Sequence, residues 1–131
     1  MSENKVENFL DEDLSYKIRG ACFAVYNNLG GGHKELVYQK ALGIELNKIG
    51  IKYEREKTLA VYYENEKIGV YRPDFVINGK IIIEIKAVDF IVKDYETQLL
   101  NYLKSTKLSL GFLVNFGPTK IEIRRRVNFI N

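Results

Sequence analysis

The sequence predicts a mixed α/β sandwich, an α+β arrangement in which helices flank a mixed β-sheet. Three observations carry that expectation. Two segments of helical period come first, three strand-like segments joined by short turns follow, and a further helical segment precedes two more strands. The expected order is α-α-β-β-β-α-β-β, in a single domain spanning all 131 residues with its core over about 14–127.

The first helix rests on Leu14, Ile18, Cys22, Val25 and Leu29, which recur at helical spacing after the acidic Asp11-Glu12-Asp13. Gly30-Gly31-Gly32 ends it, because three glycines cannot continue a helix cheaply. Tyr38, Leu42, Leu46 and Ile49 form the stripe of a second helix that stops at Gly50. From Tyr53 the period changes. Lys57–Tyr63 and Lys67–Ile77 read as strands about the turn Glu64-Asn65-Glu66, and Asn78-Gly79 is a hairpin signal before a third strand, Lys80–Ala87. Tyr95, Leu99, Tyr102 and Leu103 mark a helix over Val92–Lys104. Leu110–Asn115 reads as a buried strand, Gly117-Pro118 as a turn, and Lys120–Val127 as an alternating strand.

Composition narrows the function classes. With 46% hydrophobic and 28% charged residues the chain is globular rather than disordered or fibrous. Its apolar runs fall well short of the ~20 residues that a membrane helix needs, so no membrane partner is expected. The single cysteine, Cys22, excludes an intramolecular disulfide, and Ser2–Asp13 is polar and acidic where a secretory leader would be basic and then apolar. A cytoplasmic location is the expectation. A net charge of +3 is a weak hint of an anionic partner, and the location of individual charges matters more.

The third strand raises the central question. Ile81, Ile82, Ile83 and Ile85 suit a strand covered on both faces, where Glu84 and Lys86 are costly unless something pairs with them. Alternation puts Ile82, Glu84 and Lys86 on one face. Whether Asp74 joins them depends on the hairpin. A two-residue Asn78-Gly79 loop pairs Ile77 with Lys80 and sends Asp74 to the other face. A three-residue loop, Ile77-Asn78-Gly79 with Gly79 left-handed, pairs Val76 with Lys80 and sets Asp74 opposite Ile82, diagonal to Glu84. Diagonal neighbours lie roughly 7–8 Å apart, within reach of a shared hard cation. Asp74, Glu84 and Lys86 are expected on one face, with Gly79 at positive φ.

Pro73-Asp74, followed after nine residues by Glu84-Ile85-Lys86, resembles the signature of the PD-(D/E)XK nuclease superfamily. Gly32-His33-Lys34-Glu35-Leu36-Val37-Tyr38 is similar to the GxxExxY pattern of one small-protein branch. Gln98-Leu99-Leu100-Asn101-Tyr102 resembles the QxxxY motif of the recombination-exonuclease branch. The likeness covers about 14–127 and implies a restriction-endonuclease-like core, a divalent Mg²⁺ or Mn²⁺ cofactor and a nucleic-acid partner, DNA in the first place.

Carried onto this sequence, the resemblance makes Asp74, Glu84 and Glu35 metal-binding carboxylates, with the Ile85 carbonyl as a further ligand. Lys86 acts beside the attacking water. Gln98 and Tyr102, four apart on one helix face, hold Lys86 or the scissile phosphate, and Arg72 clamps phosphate. Arg124-Arg125-Arg126 alternates faces along its strand, so only Arg124 and Arg126 can form a joint phosphate contact. His33 follows the glycine run and reads as a helix-start residue.

The leading expectation is a metal-dependent hydrolase of phosphodiesters. The competing one is a non-catalytic nucleic-acid-binding or assembly subunit that keeps the fold, and self-association is left open.

Overall fold

A computed structural model describes residues 11–128. The expected domain span of 1–131 and the acidic opening from Ser2 therefore lie partly outside the described residues. Helix α1 (Glu12–Leu29) and helix α2 (Glu35–Lys48) form an antiparallel pair, followed by strands β1 (Tyr53–Arg55), β2 (Leu59–Tyr63), β3 (Glu66–Tyr71), β4 (Phe75–Ile77) and β5 (Ile81–Lys86). Helix α3 (Lys93–Thr106), β6 (Leu110–Phe116) and β7 (Ile121–Val127) are the last elements among the described residues. Among the described residues no helix is long and apolar enough to cross a membrane.

The main sheet has the order β1-β4-β5-β6-β7, and β2-β3 form a separate ribbon. Only β5 and β6 run parallel, and α3 supplies the crossover that such a pair requires. One face of the sheet packs Ile81, Ile83, Ile85, Phe112 and Val114 against Ile18, Cys22, Tyr38 and Leu42 of α1 and α2. Its other face packs Ile82 and Leu113 against Leu99 and Leu103 of α3, with Tyr71 of the ribbon beside them. Strand β5 is thus central and covered twice, which is why it reads as a run of isoleucine.

Two expectations change. Lys67–Ile77 is not one strand. It breaks at Arg72-Pro73-Asp74, with β3 in the ribbon and β4 in the main sheet, because Pro73 has no amide hydrogen to give a ladder. Strand β1 is also additional. Its three residues pair with β4, Tyr53 against Ile77 and Arg55 against Phe75, and are too short to show a period.

The hairpin loop is odd-numbered, as the shared face needs, but displaced by one residue. Ile77 pairs with Ile81 and Phe75 with Ile83, leaving Asn78, Gly79 and Lys80 in the loop. Asn78 (φ 54°) and Gly79 (φ 72°) are both left-handed, and the Lys80 amide donates to the Ile77 carbonyl at 3.0 Å. These are the features of an Asn-Gly hairpin turn, with Lys80 as an extra residue. Ile77 therefore stays in the ladder. Continued by one step, that register sets Asp74 directly opposite Glu84, rather than opposite Ile82.

The link between α1 and α2 is pressed onto the β6–β7 turn. A Cβ on Gly31 would stand 2.3 Å from the Pro118 carbonyl oxygen, so only glycine permits this approach. The Tyr26 hydroxyl donates to the Gly117 carbonyl at 2.6 Å, and the Tyr38 hydroxyl donates to the Gly30 carbonyl at 2.6 Å. Tyr38 also stacks on Phe116 with ring centres 4.5 Å apart. These contacts fix the N-terminus of α2, and with it Glu35, near the C-terminal ends of β5 and β6.

Candidate active site

Asp74 and Glu84 hold one another through the main chain. The Asp74 amide donates to Glu84 Oε1 at 3.1 Å, and the Ile85 amide donates to Asp74 Oδ2 at 2.7 Å. Each carboxylate thus orients the backbone that carries the other. A third donor, the Tyr71 hydroxyl, reaches Glu84 Oε2 at 2.7 Å. Tyr71 is itself fixed by a parallel stack on Tyr102, with ring centres 3.7 Å apart.

Charge at this pair is poorly compensated. Burial is the main cause that pushes the Glu84 carboxyl up to about 7; its hydrogen bond from Tyr71 works against the shift, and the Asp74 charge adds to it. Burial likewise raises the Asp74 carboxyl, opposed first by the Ile85 amide and then by the Lys86 charge. The tyrosine hydroxyl is raised as well, by burial and by the adjoining Glu84. Two adjacent half-buried carboxyls therefore meet proton affinity where a bound cation would supply positive charge.

Lys86 follows Glu84 by two residues on β5, and its Nζ stands 4.5 Å from the centre of the Tyr95 ring. The aromatic partner of the ammonium is Tyr95, while Tyr102, expected with Gln98 to hold Lys86 or the scissile phosphate, backs Tyr71. Gln98 is exposed and, with Asp94, Thr97, Asn101 and Tyr102, lines a concavity of about 380 Å³ on the outer side of α3.

Glu35 is the first residue of α2 and is exposed. Its carboxyl is raised, mainly by desolvation, while Lys86 lowers it and Asp74 raises it, so it shares the field of the pair. Among the described residues no three His, Cys, Asp or Glu side chains gather at metal-ligating spacing. The oxygen set at the pair itself is Asp74 and Glu84, with the Ile85 amide bonded to Asp74 Oδ2.

The arginines differ. Arg72 is exposed and donates through Nε to Thr58 Oγ1 at 3.0 Å, two residues from Asp74. Arg124 and Arg126 stand opposite Leu113 and Gly111, and Leu113 stands opposite Glu84, so both arginines share the Glu84 face as alternation requires. Each is already paired, Arg124 with Glu122 at 3.3 Å and Arg126 with Glu96. A phosphate would have to displace those carboxylates. His33 donates its amide to the Tyr38 hydroxyl at 3.2 Å, in keeping with a helix-start position.

Sequence reasoning missed Tyr71 and Tyr95 as parts of this site. Tyr95 lies three residues before Gln98 on the same helix, a spacing that puts the two on neighbouring faces and was a usable signal. Tyr71 carried none, since it ends a strand of a different sheet. A large concavity of about 800 Å³ lies elsewhere, at the Asn78-Gly79 end of the hairpin, lined by residues such as Asn47, Lys52 and Tyr53. It is at the opposite end of β4 and β5 from Asp74 and Lys86 and contains none of the site carboxylates.

Comparison with known proteins gives the family and the fold. The sequence model of the PD-(D/E)XK nuclease superfamily matches residues 12–126. No curated protein matches the chain. The crystal structure of SSO0001 is similar in fold, with a TM-score of 0.54 and 23% identity over 72% of this chain. The match spans 50% of the SSO0001 chain, so the present chain corresponds to about half the length of that protein.

Proposed function

The chain belongs to the PD-(D/E)XK nuclease superfamily, and from that premise we propose that it hydrolyses nucleic-acid phosphodiester bonds, DNA first, with Mg²⁺ or Mn²⁺ as cofactor. The observation that carries this reading is the mutual arrangement of Asp74 and Glu84, two half-buried carboxyls with raised proton affinity, beside Lys86 on the same strand.

The donor set fits a hard divalent ion. Mg²⁺ favours oxygen ligands and is commonly held by one or two carboxylates, keeping waters and substrate phosphate in its remaining positions. Asp74, Glu84 and the Ile85 carbonyl would hold it, with Glu35 as an outer carboxylate. When bound, such an ion polarises a phosphoryl oxygen and makes water a better nucleophile.

The chain's own groups do the rest. Tyr71 and the Asp74 amide fix both Glu84 oxygens, so the carboxylate needs little reorganisation on binding. Lys86 supplies a positive charge to stabilise negative charge developing on the phosphoryl oxygens. Arg72 binds a neighbouring phosphate and sets the register of the strand, a positioning contact without sequence information.

The test is incubation of purified protein with labelled single- and double-stranded DNA and RNA in Mg²⁺, Mn²⁺ or chelator. Metal-dependent cleavage supports the proposal, and its absence from every substrate defeats it. Salt-sensitive binding without cleavage would identify the non-catalytic subunit instead.

A further inference from the structure

A lysine beside two carboxylates has an obvious alternative to catalysis: it can pair with them and neutralise the site. Its ammonium sits on a flexible four-carbon stem, so something must hold it in place. In this chain no ion pair of Lys86 occurs among the described residues, and the ammonium instead faces the Tyr95 ring at 4.5 Å. That contact is well supported from behind. Tyr95 belongs to the first turn of α3, where its amide donates to the Val92 carbonyl at 3.1 Å, and its side chain packs against the cluster containing Ile82, Leu99 and Leu103.

We propose that Tyr95 is a positioning residue for Lys86: its ring face holds the ammonium clear of direct pairing with Asp74 and Glu84 and leaves it to the substrate phosphate. The inference rests on the nuclease reading given above. An aromatic face suits this task because it attracts a cation through its quadrupole without a lone-pair acceptor. The three N–H donors of the ammonium are therefore not consumed by the holding group and remain for phosphoryl oxygens. A carboxylate partner would both occupy those donors and compete with a metal ion.

The experiment compares Tyr95→Phe, which keeps the ring, with Tyr95→Leu, which keeps apolar bulk and loses the π face. In the wild type the ε-methylene protons of Lys86 should show a ring-current displacement in the NMR spectrum, retained in Tyr95→Phe and lost in Tyr95→Leu. With a DNA substrate, Tyr95→Phe should keep kcat within about twofold, while Tyr95→Leu lowers kcat about tenfold or more with little change in KM. Tyr95→Leu should cost nothing further in a Lys86→Ala background, since the two act as one unit. Undiminished kcat in a folded Tyr95→Leu protein, or an additional loss in the double variant, would overturn the positioning role. An undisplaced Lys86 resonance in the wild type would overturn the contact itself. Absence of cleavage by the wild type would instead defeat the nuclease reading, and with it the catalytic use of a Lys86 whose contact with Tyr95 the spectrum had still established.

Discussion

At Glu84 the proton and a metal ion compete for the same oxygens, and the site's cost in stability follows from that. Burial raises the Glu84 carboxyl from 4.5 to about 7. The folded protein therefore holds this proton more tightly than the unfolded chain does. The contribution to stability is complete below about pH 4.5 and is lost as pH rises toward 7. Glu84→Gln removes the titration, so without divalent metal the variant should gain stability relative to wild type across that window, read by urea unfolding at both ends. A difference that does not vary with pH would contradict burial as the governing cause. Tyr71→Phe removes the donor to Glu84 Oε2 but keeps the stack on Tyr102, and should cost about 1–2 kcal/mol and weaken Mn²⁺ binding in calorimetry. Asp74, Glu84 and Lys86 were legible as a group because strand alternation and chemical cost both single them out. Of the supports, Tyr95 could have been found from its place three residues before Gln98, whereas Tyr71 could not, because it reaches Glu84 from a strand of another sheet in a direction that no sequence period encodes.

Among the elements, the β4–β5 hairpin decides whether the acidic pair exists. Its odd loop could be anticipated from parity, yet the loop lies one residue later and the pairing two residues further along, because both Asn78 and Gly79 adopt positive φ and keep Ile77 paired. That displacement turns a diagonal relation of Asp74 to Glu84 into a direct one. Deleting Lys80 would leave a two-residue Asn-Gly loop with Ile77 still opposite Ile81, so Asp74 would stay opposite Glu84. The deletion variant should retain its helical and sheet signal in circular dichroism and its metal-dependent cleavage. Loss of cleavage by the folded variant would show that pairing of Ile77 with Ile81 is not what assembles the site. The α1–α2 link offers a second check. Gly31→Ala forces a Cβ against the Pro118 carbonyl, a main-chain atom that cannot swing aside, and should destabilise the protein by about 1–3 kcal/mol in urea unfolding.

Across the whole molecule, two apolar layers clamp β5, one beneath α1 and α2 and one beneath α3, and the strand's polar C-terminal end emerges where Glu84 and Lys86 meet Asp74. This sandwich was legible in outline because long periodic helices and isoleucine-rich strands announce themselves. The split at Pro73 and the short edge strand β1 were not, since three-residue strands are defined by their neighbours rather than by a period. A metal ion that binds only the folded chain stabilises it by mass action, about 2.7 kcal/mol at a hundredfold excess over Kd. Millimolar Mg²⁺ or Mn²⁺ should therefore raise the Tm of the wild type and not that of Asp74→Ala. The central claim is that this acidic pair performs metal-dependent phosphodiester hydrolysis. Its most direct measurement is the cleavage rate of labelled DNA in Mg²⁺ by wild-type and Asp74→Asn protein prepared identically, both shown to be folded. The account predicts chelator-sensitive cleavage by the wild type and a rate at or below about one hundredth of it for Asp74→Asn. Equal rates from the two proteins, or no cleavage by the wild type, would contradict it.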